Sequence, residues 1–179
     1  SNKITIEQEF EKGMPEINAD ASTLQAILTN LVANASEAMP HGGILKLKTR
    51  YVPVLKKIKI EIADSGPGIP KDKLIKIFDP FFTTKKQGDG TGLGLFVSHE
   101  MARKLGGDIR VISSTGEDAI TSGTVFTVEL PAIPVHFPDG IVLRVDPVEK
   151  GAPPSIGAEP LIRAKDVVRP IRNSLDQNS

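Results

Sequence analysis

Lys56-Lys-Ile-Lys-Ile-Glu-Ile-Ala-Asp64-Ser-Gly-Pro-Gly-Ile-Pro70 is the stretch on which the interpretation of the whole chain depends. Its first part alternates isoleucine with other residues, which predicts a strand over residues 56–63 with one face toward a core. Asp64 continues the isoleucine parity, and an ionised carboxylate on a core face is costly unless something hydrogen-bonds it. The glycines keep bulk away, so a planar ligand with an exocyclic amino group, such as adenine, could reach it. The alternative is a strand-end turn in which Asp64 is a local cap.

A helix is predicted upstream of this strand, with N-cap residues at Asp20–Thr23 and an end before Pro40. Apolar residues recur in it at helical spacing, namely Leu24, Ile27, Leu28, Leu31, Ala35 and Ala38. Asn34 lies just off the edge of that stripe, and Asn30 projects from the same side. Amide oxygens are neutral ligands suited to a Mg²⁺ ion that keeps its waters and shares phosphate oxygens. The alternative is a pair of solvated or helix-capping asparagines.

A second glycine-rich segment, Gly88-Asp-Gly-Thr-Gly-Leu-Gly-Leu95, runs into a helix predicted over about residues 93–105. Small residues at a helix N-terminus expose backbone N–H groups, where the helix dipole favours an anion, and Lys85 and Lys86 lie just upstream. The segment is neither a Walker loop nor a dinucleotide fingerprint, because its spacing and its context differ from both. The alternative is a flexible linker.

Three phenylalanines lie close together in Phe78-Asp-Pro-Phe-Phe82, between the two glycine-rich segments. Exposed phenylalanines in a loop suit closure over a ligand or docking on a partner. A small satellite core under the loop is the alternative, and the two interpretations are compatible.

Composition excludes several classes of function. The 179 residues carry 22 Lys+Arg and 22 Asp+Glu, so no global basic field exists to hold nucleic acid or an anionic membrane. Cysteine is absent, which excludes disulfides, thiolate zinc sites and a cysteine nucleophile. Tryptophan is absent and aromatic residues make up 4% of the chain, which is poor material for base-stacking platforms. No stretch of about 18 apolar residues is present that would span a membrane.

Strand and helix signals follow one another without regular βαβ alternation over residues 3–133. Strands are predicted at residues 3–10, 44–52, 56–63, 109–113 and 123–130. This order indicates an α+β fold, a two-layer α/β sandwich in which a mixed, mostly antiparallel sheet packs on helices. Residues 1–133 are predicted to form the domain. Residues 134–179 form a proline-rich extension of unassigned role, with one strand predicted at residues 141–145.

Taken in order, the segments resemble the ATP-binding domain of sensor histidine kinases, within the GHKL (Bergerat-fold) ATPase superfamily. Asn30-Leu-Val-Ala-Asn34 is similar to the N box, and Asp64-Ser-Gly-Pro-Gly-Ile69 to the first glycine box. Phe78–Phe82 is similar to the F box, Gly90-Thr-Gly-Leu-Gly-Leu95 to the second glycine box, and Gly123-Thr-Val-Phe126 to the last one. The resemblance covers about residues 4–131, and it is closest to the subgroup of nitrogen-regulation sensors.

The resemblance implies an ATP–Mg²⁺ site between sheet and helices, beneath a lid formed by the loop between the two glycine boxes. Asp64 would accept from the adenine amino group, Thr124 would reach the base through water, and Asn34 would bind Mg²⁺, with Asn30 supporting the phosphate region. Glu37 stands where many relatives have Lys or Arg. The remaining nucleotide-binding positions would be Gly66, Gly68, Ile69, Lys85, Gly90, Thr91, Gly92, Leu93, Gly94 and Leu95.

Asn30 favours a kinase over a hydrolase. The gyrase, mismatch-repair and chaperone branches have a glutamate at that position to activate water, and an amide cannot act as a general base. The expected activity is therefore transfer of the ATP γ-phosphoryl group to a histidine, with Asn34 and Asn30 in the catalytic region. A clamp-type GHKL ATPase and a nucleotide-gated interaction module without catalysis are the alternatives.

No histidine of this chain is a good acceptor. His99 lies in His99-Glu-Met-Ala-Arg103, superficially similar to an acceptor box, but the following proline is missing and a surface helix position is expected. We therefore expect the acceptor on an upstream dimerisation hairpin of the same kinase, followed by a response regulator. Neither nucleic acid nor direct membrane contact is expected, and the expected location is cytoplasmic.

Overall fold

The computed structural model describes residues 3–17, 19–85, 90–116 and 122–132. They form a five-stranded sheet on which the helices pack. The strands are β1 (Ile4–Phe10), β2 (Gly43–Val52), β3 (Lys57–Asp64), β4 (Asp108–Ser114) and β5 (Gly123–Pro131). The helices are α1 (Ala21–Glu37), α2 (Lys71–Leu74) and α3 (Gly94–Lys104), with a single 3₁₀ turn at Pro53–Leu55.

The sheet has the strand order β1-β2-β3-β5-β4. β1 pairs with β2 in parallel and the other three pairings are antiparallel. The predicted α+β class with a mixed, mostly antiparallel sheet is confirmed. The prediction of the extension at residues 134–179, including a strand at 141–145, lies outside the described residues.

Helix α1 supplies the helical layer of the core. Its buried residues are Leu24, Ile27, Leu28, Leu31, Val32 and Ala35. Five of these six belong to the predicted stripe; Val32 was not predicted, and the predicted Ala38 is the half-buried residue that ends the helix. Asp20 caps the helix, because its side chain accepts a hydrogen bond from the backbone N–H of Thr23 at 2.9 Å. One N–H group in the first turn of α1 is therefore satisfied by a side chain of the same chain.

Strand β3 lies in the middle of the sheet and carries the predicted alternation. Ile58, Ile60 and Ile62 are at most 2% exposed and face the helices. The pairing register places Asp64 beside Thr124 of β5, so the last residue of β3 meets the first residues of β5 at one end of the sheet. This end of the sheet carries the candidate site.

The outward face of the sheet is charged around one carboxylate. Glu129 is 2% exposed. Its Oε1 atom lies 2.7 Å from Nζ of Lys59 and 3.6 Å from Nε of Arg110, and its Oε2 atom lies 3.0 Å from Nζ of Lys57. The hydrogen bond from Lys59 is the main cause that lowers the pKa of Glu129 to about 2. Glu129 is therefore ionised throughout the neutral range.

Within the described residues, no helix has both the length and the apolar character needed to cross a bilayer.

Candidate functional site

Asp64 lies at the end of β3 as the sequence predicts, and the residue is 8% exposed. Its Oδ1 atom accepts hydrogen bonds from the backbone N–H of Gly66 at 2.9 Å and of Thr124 at 3.3 Å. Burial raises the pKa of Asp64, and these two backbone hydrogen bonds act in the opposite direction. Among the described residues Oδ2 has no hydrogen-bond partner, so it remains free to accept one from a ligand.

The glycine-rich turn after Asp64 packs closely on its surroundings. A methyl group at Gly66 would lie 2.9 Å from Oδ1 of Asp64 and 3.0 Å from the carbonyl oxygen of Ala38, at the end of α1. Gly68 has φ of 76°, and a methyl group there would lie 1.9 Å from the carbonyl oxygen of Ser114. Glycine is therefore required sterically at both positions.

Thr124 points inward, as predicted, and is 4% exposed. Its hydroxyl lies 2.9 Å from the hydroxyl of Ser113 on β4. Ser113 also accepts a hydrogen bond from the N–H of Ile69 at 2.7 Å and donates one to the carbonyl oxygen of Gly123 at 2.9 Å. The Ser113 hydroxyl therefore joins β4, β5 and the glycine-rich turn beside Asp64.

Asn30 holds α1 against the N-terminal half of α3. Its Nδ2 donates to Oγ of Ser98 at 2.9 Å, and a methyl group at Gly94 would lie 2.6 Å from its Oδ1. Ser98 is buried. The side chain of Asn30 is thus occupied by contacts that position the start of α3.

Asn34 lies one helical turn further along α1 and is half-buried. Its Nδ2 atom is completely buried and has no hydrogen-bond partner among the described residues. A buried amide without a partner is uncommon in folded proteins and requires an explanation. The unmatched amide fits a side chain whose partners are supplied by a ligand.

The N-terminus of α3 has no side-chain cap, in contrast to the capped N-terminus of α1. The first N–H groups of an uncapped helix are free to bind an anion. Gly92, just before this helix, has φ of 68°, and a methyl group there would lie 2.5 Å from the carbonyl carbon of Phe81. The predicted F box and second glycine box are therefore in direct contact.

Lys85 forms an ion pair with Glu37 at the end of α1. Its aliphatic chain also covers Gly90, where a methyl group would lie 2.9 Å from Cδ of Lys85. The ammonium group is thus next to the helix that carries Asn34. Residues 86–89, which include Lys86, lie outside the described residues.

His99 differs from its prediction as a surface helix residue. Its side chain is 18% exposed, and its ring stacks on that of Phe78 with the centroids 4.7 Å apart. Nε2 of His99 lies 3.0 Å from Oδ1 of Asp108. The reason for the difference is the loop after α2, which brings Phe78 onto α3. Phe78 thus packs as the satellite-core alternative expects, whereas Phe81 is 72% exposed.

Sequence reasoning did not identify Ser113 and Ser98. Single serines on a strand and a helix carry no local signal, because their importance comes from partners 44 and 68 residues away in the chain. Two of the predicted parts of the site meet at the end of the sheet: the first glycine box, which begins at Asp64, and Thr124. Asn30 and the second glycine box meet where α1 and α3 pack.

A depression of about 380 Å³ lies on the outward face of the sheet, away from α1. Its apolar lining comes from outward-facing positions of four strands, namely Ile44, Ala63, Ile112 and Val125. The helix-facing side chains of Asp64 and Thr124 lie at its edge. It is therefore not the space between sheet and helices in which the motifs meet.

Comparison with known proteins agrees with this geometry. Residues 19–134 match the family described as "Histidine kinase-, DNA gyrase B-, and HSP90-like ATPase". The chain is 38% identical to the sensor kinase CckA of Brucella abortus (strain 2308), over 65% of this chain and 13% of that protein. It is also 38% identical to the sensor histidine kinase ZraS of Escherichia coli (strain K12), over 73% of this chain and 26% of that protein.

Solved structures show the same fold. The catalytic domain of histidine kinase ThkA aligns with a TM-score of 0.61 and 34% identity, over 72% of this chain and 79% of that one. Full-length ShkA in complex with AMPPNP aligns with a TM-score of 0.61 and 28% identity, over 75% of this chain and 27% of that one.

The chain spans between about an eighth and a quarter of the length of these two curated relatives, at 13% and 26%. The match covers α1, both glycine-rich segments and β5, which are the elements that form the candidate site. The chain therefore belongs to the family of histidine kinase-, DNA gyrase B- and HSP90-like ATPases.

Proposed function

We propose that this domain binds ATP with Mg²⁺ and donates the γ-phosphoryl group to a histidine on a separate helical hairpin of the same kinase. The observation that carries the proposal is the position of Asp64. Its carboxylate is buried and held by two backbone N–H groups, and Oδ2 is free among the described residues. Keeping such a group ionised costs free energy, which recognition of a ligand would explain.

The base would lie against the end of the sheet. Oδ2 of Asp64 would accept a hydrogen bond from the amino group of adenine, and the hydroxyl of Thr124 would contact the base beside it. Gly66, Gly68 and Ile69 form the turn that closes this side. Their close packing on Ala38 and Ser114 supports a rigid wall that a flat ring could approach.

The phosphates would lie at the uncapped N-terminus of α3. Backbone N–H groups of Gly92, Leu93 and Gly94 would bind phosphate oxygens, with Gly90, Thr91 and Leu95 shaping the segment. The N–H of Leu93 would first give up its contact with the hydroxyl of Thr91, which is 3.3 Å away. Lys85 would supply a positive charge there once it exchanges Glu37 for a phosphate group. Local charges of this kind explain how a chain of zero net charge could hold a triphosphate.

The residues fit Mg²⁺, which would reduce the negative charge on the phosphate oxygens. Asn34 would hold the ion through its Oδ1 atom, because an amide oxygen is a suitable ligand. Its buried Nδ2 atom, which has no partner in the described part of the chain, would donate to an oxygen of the ligand. No group of three His, Cys, Asp or Glu side chains lies together among the described residues. One protein ligand together with phosphate oxygens is a common arrangement for Mg²⁺.

Asn30 supports phosphoryl transfer over hydrolysis. Its amide is bonded to Ser98 and packed on Gly94, and an amide cannot remove a proton from water. Catalysis would then consist of positioning and charge neutralisation, which suits phosphoryl transfer. The clamp-type ATPase and the interaction module without catalysis gain no support from a specific contact.

The partners follow from the relatives that are named sensor kinases. We infer a dimeric phosphoacceptor hairpin as the direct partner and a response regulator as the next phosphoryl carrier. A cytoplasmic location follows from the need for ATP. Residues 1–133 would act as the catalytic domain and residues 134–179 as an extension.

The decisive experiment mixes this chain with γ-labelled ATP, Mg²⁺ and the acceptor hairpin of its parent kinase. We expect acid-labile phosphohistidine on the hairpin, and none when the acceptor histidine is replaced by alanine. ATP binding without transfer would contradict the kinase proposal. Steady ATP hydrolysis by the chain alone, lost in Asn30→Ala, would favour the ATPase alternative instead.

A further inference from the structure

Ser113 makes three close contacts that involve a single hydroxyl group. The N–H of Ile69 lies 2.7 Å away, the carbonyl oxygen of Gly123 2.9 Å and the hydroxyl of Thr124 2.9 Å. A hydroxyl has one proton to donate and two lone pairs that accept. The three contacts therefore use the full hydrogen-bonding capacity of Ser113.

The directions of these hydrogen bonds follow from the partners. The N–H of Ile69 can only donate, and the carbonyl oxygen of Gly123 can only accept. All three contacts are hydrogen bonds only if Ser113 donates its proton to Gly123 and accepts from both Ile69 and Thr124. The proton of Thr124 is then directed at Ser113, and only the lone pairs of Thr124 remain for a ligand.

We propose that Ser113 is a positioning residue that makes Thr124 a hydrogen-bond acceptor toward the bound base, and so favours an amino over a keto group at C6 of a purine. Asp64 lies beside Thr124 in the register and also presents an acceptor, Oδ2. Two acceptors match an amino group that carries two protons. A 6-keto purine carries a single proton on this edge, at N1, so it can satisfy at most one of the two acceptors, and its keto oxygen faces the other unpaired, which is costly in a buried site.

This inference rests on the proposed binding of ATP and adds a source for its base selectivity. A purely structural role makes a different prediction. Ser113 also fixes the glycine-rich turn through Ile69. Loss of that support alone would reduce the affinity for every purine nucleotide by the same factor. The ratio of two affinities separates the two roles.

The test measures dissociation constants for ATP and for inosine triphosphate, which has a keto group at C6, by calorimetry with Mg²⁺. In Ser113→Ala, Thr124 is free to donate toward the base, and we expect the preference for ATP to fall about three- to tenfold. Ser113→Thr keeps the hydroxyl, so the preference is expected to stay within about twofold of the parent chain. Ser113→Cys replaces the hydroxyl with a weak thiol at similar volume, and it provides the same test if Ser113→Ala does not fold.

A double-variant cycle shows whether Ser113 acts through Thr124. In a Thr124→Val background, Ser113→Ala is expected to change the preference by less than about twofold. The inference is overturned if Ser113→Ala weakens the binding of both nucleotides equally, or if its effect on the preference is undiminished in the Thr124→Val background. Neither result would contradict the proposal that the domain binds ATP. If the parent chain binds neither nucleotide, both the inference and the proposed function fail.

Discussion

Two opposing effects act on the pKa of Asp64. Burial raises its pKa, whereas hydrogen bonds from the backbone of Gly66 and Thr124 lower it. Because the pKa is raised in the folded protein, the ionised form weakens the fold near neutral pH, and protonation would relieve that cost. A residue that costs stability where it stands indicates a functional constraint.

We expect Asp64→Asn to lose ATP binding and yet to be at least as stable as the parent chain. Its amide oxygen can still accept from Gly66 and Thr124, and the buried charge is removed. The expected gain in the free energy of unfolding is about 0.5–1 kcal/mol at pH 7, measured by urea denaturation without nucleotide. Unchanged affinity for ATP in this variant would exclude Asp64 from the base site.

A variant of Asn34 distinguishes a role in binding Mg²⁺ from a role in binding the nucleotide itself. Asn34→Ala removes an amide whose Nδ2 is buried without a partner among the described residues. We expect phosphoryl transfer with Mg²⁺ to fall at least about a hundredfold, whereas binding of ATP in the presence of a chelator changes less than about threefold. Equal losses in the two measurements would contradict a metal role for Asn34.

At the scale of elements, the contact between α1 and α3 positions the start of α3, where we propose that the phosphates bind. Ser98→Ala removes the partner of Nδ2 of Asn30 and leaves a half-buried amide unpaired. We expect a loss of about 1–2 kcal/mol in the free energy of unfolding. Because the start of α3 shifts, we also expect weaker binding of ATP with little change for adenosine.

Ser36→Ala on α1 is the matched control for Ser98→Ala. It makes the same chemical change at a half-buried serine with no side-chain hydrogen bond in the described part of the chain. A parallel loss of ATP and adenosine affinity in Ser98→Ala would show that Ser98 supports the fold rather than the phosphate region.

Local periodicity explains how much of the fold could be predicted. The stripe of α1 and the alternation of β3 each repeat several times, so the core faces, Asp64 and Thr124 were placed correctly. Helix α2 has only four residues and carries no periodic signal. The roles of Ser113 and Ser98 and the stacking of Phe78 on His99 depend on distant pairings, which local pattern does not encode.

At the scale of the whole molecule, the ion pairs on the outward face of the sheet make the free energy of unfolding depend on pH. The sign of this dependence is opposite to that of Asp64. The pKa of Glu129 is lowered to about 2 by its hydrogen bonds with Lys59 and Lys57. Its contribution to stability is therefore complete above about 4.5 and is lost as the pH falls toward about 2.

We expect Glu129→Gln to reduce the free energy of unfolding by about 1–3 kcal/mol at pH 7, because three cations lose their anion. The difference from the parent chain should shrink as the pH falls from about 4.5 toward about 2. Urea denaturation across this range measures it. Glu61→Gln, which breaks a more exposed pair with Arg50, is the control, with an expected loss under about 1 kcal/mol. A constant difference at all pH values would contradict the ionic origin.

The strand order also has a consequence for the order in which the molecule assembles. β5 lies between β3 and β4, although it follows both in the chain. Until residues 123–131 leave the ribosome, β3 and β4 each have an unpaired edge, and Asp64 has no Thr124 beside it. Pairing over 60 residues is slow because of the loop that must close. A nascent or truncated chain lacking β5 would therefore leave edges of β3 and β4 unpaired, and it would lack one side of the proposed nucleotide site. ATP bound at that site would therefore stabilise only a chain that contains β5.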